Sequence, residues 1–222
     1  MIQINDLNFE YEESDFKLRV SKLSVERGER IAIVGPSGSG KTTLLHLISG
    51  IVLAQRGSIR VGGTDWVALS ESDRRLLRIQ RIGLVFQEFE LLEYLRVLDN
   101  ILLPYRIHRA LRLDPASRIR AADLAKKMGV GKQLERYPAR LSQGEKQRVA
   151  VCRALVTEPD LILADEPTGN LDPDNKHRVL EQLMECAKQR NATLVLVTHD
   201  HDLLNRFDRV IDVKSFSSSG SK

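Results

Sequence analysis

Aromatic residues are scarce: six Phe, four Tyr and one Trp make up only 5% of the 222 residues. So few flat rings disfavour a nucleic-acid groove built on stacked bases. A charge of one sign is lacking too. The 34 basic residues face 30 acidic ones, a formal net charge of +4, which is too small an excess for a surface that tracks phosphates along a strand. One basic cluster, Arg106, His108, Arg109, Arg112, Arg118 and Arg120, reads as a solvated helical face. Attraction to anionic lipid headgroups is its other reading. No nucleic-acid partner is expected.

Long apolar runs are also missing. Ile31 to Val34 and Leu161 to Ala164 are strand-sized, against the roughly 20 residues that span a bilayer. The first six residues, Met1 to Asp6, lack the basic and apolar regions of a signal peptide. Only two cysteines occur, Cys152 and Cys186, in helical-looking stretches without metal-ligand spacing. That usage fits a reducing cytosol better than a disulfide framework. An apolar fraction of 42% excludes wholesale disorder, and the length suits one domain with room for an inserted subdomain.

What is present is periodic. Runs rich in Ile and Val recur at Leu18 to Val25, Ile31 to Val34, Ser58 to Val61, Ile82 to Phe86, Leu161 to Ala164, Thr193 to Thr198 and Arg209 to Val213. Continuous apolar strands followed by helices predict an α/β fold with a mostly parallel sheet covered on both faces. The first thirty residues alternate instead and predict a small antiparallel sheet. Ala121, Leu124, Ala125 and Met128 share one helical face, with Asp114 as N-cap, Pro115 in the first turn and Gly129 as stop. A second amphipathic helix begins near Pro173 and buries Val179, Leu180, Leu183, Met184 and Ala187. Residues 88–158 show no convincing strand and read as a helical insertion. The serine-rich residues 215–222 are expected to be disordered, leaving one domain over 1–214.

Gly35, Pro36, Ser37, Gly38, Ser39, Gly40, Lys41 and Thr42 match G-x-x-x-x-G-K-[ST] at every fixed position, and Thr43 continues into a helix. The chemistry needs this composition. Glycines let successive N–H groups converge on phosphate oxygens, and the helix N-terminus adds its positive end. Lys41 reaches the β- and γ-phosphates, and the Thr42 hydroxyl takes one Mg²⁺ position. Asp165 emerges at the carboxyl end of a buried strand, where it can hold hydrated Mg²⁺. The adjacent Glu166 is placed to act as general base on water. These two motifs alone fit kinases, GTPases, helicases and recombinases.

A third motif narrows the choice. Leu141-Ser-Gln-Gly-Glu145 opens a helix about a hundred residues after Lys41, so the Ser142 hydroxyl and Gly144 amide form a second anion-binding helix N-terminus. Here the sequence resembles the nucleotide-binding subunit of ATP-binding cassette (ABC) transporters over nearly the whole chain. The resemblance implies that Tyr11 stacks on adenine and that Gln87 touches Mg²⁺ and senses a transmembrane partner. It likewise makes Leu141 to Glu145 the signature, Asp165 the Walker B aspartate and Glu166 the catalytic glutamate. Gly169 to Asp172 match the D-loop, with Asp172 at the nucleotide, and His199 matches the switch histidine. The commonest signature is LSGGQ, so Gln143 and Glu145 are departures, while Ser142 and Gly144 are intact.

The stretches Ala164 to Asp172, Gly83 to Gln87 and Asp99 to Pro104 look like the MacB/LolD/FtsE group. That likeness implies a P-loop ATPase converting ATP and water to ADP and phosphate, with ATP and Mg²⁺ bound between the halves of a head-to-tail homodimer. It implies a separate integral membrane partner, met through the helical insertion, and a place on the cytoplasmic face of the inner membrane. Export, lipoprotein release and mechanotransmission all fit, as does an FtsE-like regulatory role without transport. A soluble ABC ATPase of nucleic-acid metabolism is the distant alternative.

Overall fold

The computed structural model describes residues 1–12, 16–169 and 171–217, without the side chains of residues 173, 174 and 217. In chain order the strands are β1 (Ile2–Glu10), β2 (Lys17–Val25), β3 (Arg30–Val34), β4 (Arg56–Val61), β5 (Thr64–Asp65), β6 (Ile82–Val85), β7 (Leu161–Asp165), β8 (Thr193–Val197) and β9 (Arg209–Asp212). The helices are α1 (Lys41–Ile48), α2 (Glu71–Arg81), α3 (Val97–Ile101), α4 (Leu103–Ile107), α5 (Pro115–Lys127), α6 (Gln143–Leu155), α7 (Pro173–Arg190) and α8 (Lys214–Ser217).

Five strands form a parallel sheet in the order β6-β7-β8-β3-β9, and four form an antiparallel sheet in the order β2-β1-β4-β5. The run Ser58 to Val61 belongs to the antiparallel sheet, pairing Ile59 with Ile4 and Val61 with Ile2. Its partner lies more than fifty residues upstream, so periodicity alone could not assign it. Strands β7 and β8 are buried at every residue, and their side chains alternate between two cores. Ile162, Ala164, Leu194 and Leu196 pack with α5, α6 and α7. Leu161, Leu163, Val195 and Val197 pack with α1 and the antiparallel sheet. Truncating one fully buried Leu here, such as Leu194, costs about 2–5 kcal/mol.

The amphipathic reading of α5 and α7 holds. Ala121, Leu124, Ala125 and Met128 are buried on α5 and its end, as are Val179, Leu180, Leu183, Met184 and Ala187 on α7. Asp114 accepts the Ser117 N–H at 2.7 Å, while Ser117 Oγ accepts the Asp114 N–H, a reciprocal cap that fixes the start of α5. Gly129 follows its end at φ +70°, a backbone that only glycine takes without strain.

Three expectations are revised. The basic cluster is not one helical face: Arg106 lies in α4, residues 108–114 are turn and coil, and Arg118 and Arg120 lie on α5. Within it, Arg106 pairs with Asp99, and Arg120 donates to the Val156 carbonyl at 2.9 Å. The polar C-terminal residues were expected to leave the domain at 215, yet Phe216 is buried in α8 against the core of β2. One large apolar side chain in a serine-rich stretch is enough to hold that turn. Residues 218–222 lie outside the described residues, as does Asn170 of the D-loop motif. Lastly, β6 stops at Val85 and β7 extends to Asp165, which makes that carboxylate the last residue of its strand. Between β6 and β7 the described residues contain helices and turns and no strand.

Candidate nucleotide site

The sheet order explains why distant residues meet. Gln87 follows β6, Asp165 ends β7, His199 follows β8, and the glycine-rich loop follows β3. These four strands are consecutive neighbours and parallel, so all their carboxyl ends open on one edge. A cleft of about 500 Å³ lies there, lined by Tyr11, Phe16, Gly35, Ser37, Gly38, Gly40, Lys41, Thr42, Thr43, Gln87, Asp165, Glu166 and His199.

Gly40 is the N-cap of α1 at φ +92°, and a Cβ there would lie 2.6 Å from Phe16 Cζ. The backbone angle demands glycine, and any side chain there would also have to displace the Phe16 ring. No side chain caps this helix and no acid occupies its first turn, so its leading amides point to the cleft mouth unclaimed by a cap. Lys41 is buried and donates two hydrogen bonds of 2.8 Å, to the carbonyls of Gly35 and Pro36. The Thr42 residue is exposed in the cleft.

Asp165 is buried, and its Oδ1 has no hydrogen-bond partner among the described residues. A buried carboxylate oxygen without a partner is costly, and a hard cation ligated by oxygen would relieve it. The Ser39 hydroxyl is similarly buried without a partner beneath the loop. The donor set of Thr42, Gln87 and Asp165 is all oxygen, as Mg²⁺ requires.

Glu166 has φ +46°, a left-handed backbone rare for a residue with a long side chain. Its N–H donates to the Val197 carbonyl at 3.0 Å, which holds the turn in place. The His199 Nδ1 and Glu166 Oε2 are in direct contact, with His199 mostly exposed and Glu166 largely shielded. Beside them, Lys176 of α7 pairs with Asp200 at 2.9 Å and holds its carboxyl below the usual range. The Tyr11 hydroxyl lies 3.3 Å from Thr43 Oγ1, and its ring meets Phe9 edge-on at 4.7 Å.

Other expected residues lie elsewhere. Ser142, Gly144 and Asp172 do not line this cleft, and neither do Pro36 and Ser39 of the loop itself. Ser142 Oγ accepts the Glu145 N–H at 3.2 Å, and Glu145 Oε2 accepts the Ser142 N–H at 2.8 Å. The glutamate at this signature position therefore completes a capping box. Asp172 caps α7 by accepting the Asn175 N–H at 3.1 Å. Asn175 in turn accepts from Arg148 of α6 at 2.9 Å, linking the two helix starts. One cleft residue escaped the sequence reading: Phe16. It sits just ahead of β2, two residues before Leu18 and in phase with the strand's alternation, and that parity was the available signal.

This arrangement of phosphate loop, helix N-terminus and acidic strand end defines a P-loop nucleoside triphosphatase. A family model described as ABC transporter matches residues 18–169. The lipoprotein-releasing system ATP-binding protein LolD of Legionella pneumophila (strain Paris) is 42% identical over 189 residues, covering 85% of this chain and 82% of that protein. The LolD of Pseudomonas fluorescens is 39% identical over 217 residues, covering 96% and 95%. Among solved structures, the ATP-binding cassette MJ0796 as a dimer bound to ADP and Pi, in a post-hydrolysis state, superposes with a TM-score of 0.87 at 30% identity, covering 96% and 94% of the chains. The chain belongs to the ABC transporter family. It is an ATP-binding, ATP-hydrolysing subunit, with Mg²⁺ as the associated ion. No helix among the described residues is long and apolar enough to cross a membrane.

Proposed function

We propose that the chain is the ATP-driven motor of a LolD-like lipoprotein-releasing or related export system. It works as a head-to-tail homodimer docked on an integral membrane protein, at the cytoplasmic face of the inner membrane. One observation carries this reading: the cleft collects the phosphate loop, Gln87, Asp165, Glu166 and His199 but neither Ser142 nor Gly144. A single chain thus holds one half of the expected constellation, and a second copy supplies the other. The similar cassette MJ0796 is itself dimeric, and the LolD relatives are named for lipoprotein release.

In this reading ATP lies along the loop of residues 35–43, with adenine on Tyr11, whose ring Phe9 braces. The amides of the loop and of α1 hold phosphate oxygens. Lys41 exchanges the Gly35 and Pro36 carbonyls for the β- and γ-phosphates. Thr42, Gln87 and Asp165 would hold Mg²⁺, which would supply positive charge to offset that on the phosphoryl group. Glu166 accepts the proton of the attacking water, and His199, already against its carboxylate, fixes its direction. Ser142 and Gly144 of the partner close the γ-phosphate side, and Asp172 lies at the contact between copies. A second cleft of about 390 Å³, lined by Arg78, Ile79, Leu84, Leu103, Ile107 and His108, lies among α2, β6 and α4 and receives the membrane partner.

The test uses Glu166→Gln. With ATP this variant should elute as a dimer in size-exclusion chromatography, and with ADP as a monomer. Hydrolysis should fall about 10³-fold while ATP binding is kept. A monomer under both conditions, or wild-type turnover, would sink the composite-site reading.

A further inference from the structure

Phe89 and Glu90, two and three residues after Gln87, both have left-handed backbones, at φ +51° and +50°. Neither residue type takes that conformation readily. The Glu90 N–H donates back to the Glu88 carbonyl, closing a three-residue turn centred on Phe89. Turns of this hand are rare and strained, and they persist only where their surroundings enforce them.

The enforcing group is a buried arginine from another part of the chain. Arg153 is 9% exposed in the last turn of α6. Its Nη2 donates to the Phe89 carbonyl at 2.6 Å, and its Nη1 to the Glu90 carbonyl. The rigid planar fork holds two successive carbonyls in one fixed geometry, which an ammonium on a flexible stem does not impose. Arg153 also lines the 390 Å³ cleft among α2, β6 and α4. The same side chain therefore touches that groove and fixes the backbone next to Gln87, a wall of the nucleotide cleft.

We propose that Arg153 is the positioning residue for Gln87, holding the strained 88–90 turn so that changes in the α2–α4 groove reach the nucleotide cleft. This rests on the reading of Gln87 as a Mg²⁺ ligand. Without the fork the turn relaxes to ordinary backbone angles, and Gln87 moves with it. Glycine needs no enforcement at φ +50°, so a glycine in the turn should restore what the arginine supplied.

The experiment measures steady-state ATPase activity of the full chain against ATP and Mg²⁺. Arg153→Lys should lower kcat about tenfold with the KM for ATP nearly unchanged, and should raise the Mg²⁺ needed for half-maximal rate. Arg153→Gln, carried in parallel, tests the same point should the lysine variant fold poorly. Glu90→Gly alone should turn over like wild type, and combined with Arg153→Lys it should recover most of kcat. A double variant no faster than Arg153→Lys would overturn the proposal, because simple loss of core packing is not repaired by an exposed glycine. In a Gln87→Ala background, Arg153→Lys should cost nothing further. An additional full loss there would overturn the positioning role while leaving Gln87 as ligand. Wild-type Mg²⁺ dependence in Gln87→Ala alone would overturn both.

Discussion

The proposed mechanism assigns phosphate to two helix N-termini, and they are finished in opposite ways. That of α1 is capped by a glycine, with no side-chain bond and no acid in its first turn. That of α6 is closed by its own residues, Ser142 and Glu145, and carries a carboxylate. An amide already bonded within its chain is not available to a ligand, and a carboxylate there repels an anion. The α1 terminus is thus left open at all times to the phosphate that the proposed mechanism places there. The α6 terminus is a stable helix start that still keeps donors: Ser142 Oγ accepts from Glu145, so its own proton remains to give, and the Gly144 amide takes no part in the capping box. Such a weaker, self-sufficient site suits a contact that forms and breaks each cycle.

The largest effect should come from α1. Lys41→Ala removes the ammonium and should lower phosphate release about 10³-fold; a loss below tenfold would mean that backbone amides suffice and the contrast is overdrawn. Next is Ser142→Arg, which blocks the α6 terminus and should slow the homodimer about 10²-fold. Mixing it with Lys41→Ala protomers places both lesions in one composite site and leaves the other whole. Such mixed dimers should keep roughly half of wild-type turnover if each site works alone, and inert ones would contradict independent sites.

A smaller effect concerns the carboxylate itself. The Ser142 N–H, first among several causes, holds the Glu145 carboxyl below its ordinary value of 4.5. A group lowered on folding stabilises the chain above that ordinary value, and its contribution is lost as pH falls through the folded value. Glu145→Gln should cost about 0.5–1 kcal/mol in urea melts at pH 7, and the gap should close well below pH 4.5. An equal gap at both ends would show that charge plays no part in this cap. The smallest change is Tyr11→Phe, which removes the contact with Thr43 and should raise the KM for ATP about twofold. A tenfold rise would make the hydroxyl, not the ring, the contributing part.

How much of this was legible depended on the distance between interacting residues. The phosphate loop was, because its strand, glycines and helix start are contiguous over residues 31–49. The α5 and α7 faces were, because helical periodicity is local. The placement of Gln87, Asp165 and His199 on one edge followed from the order β6-β7-β8-β3, which no single segment encodes. Helix α2 buries no residue fully, and Leu76, Leu77 and Ile79 are the only apolar residues in it, a short signal to read. The pairing of β4 with β1, the burial of Phe216 and the grip of Arg153 on residues 89 and 90 are long-range facts of the same kind.

The lone tryptophan has a practical consequence. Trp66 is buried, and its indole N–H donates to the Ile48 carbonyl at 2.7 Å, at the far end of the helix that begins at the phosphate loop. It belongs to the core shared by α1 and the antiparallel sheet, not to the one under α5, α6 and α7. Its emission is therefore a built-in optical reporter for one half of the molecule. If unfolding traces from fluorescence and from far-ultraviolet dichroism separate, the two cores melt apart.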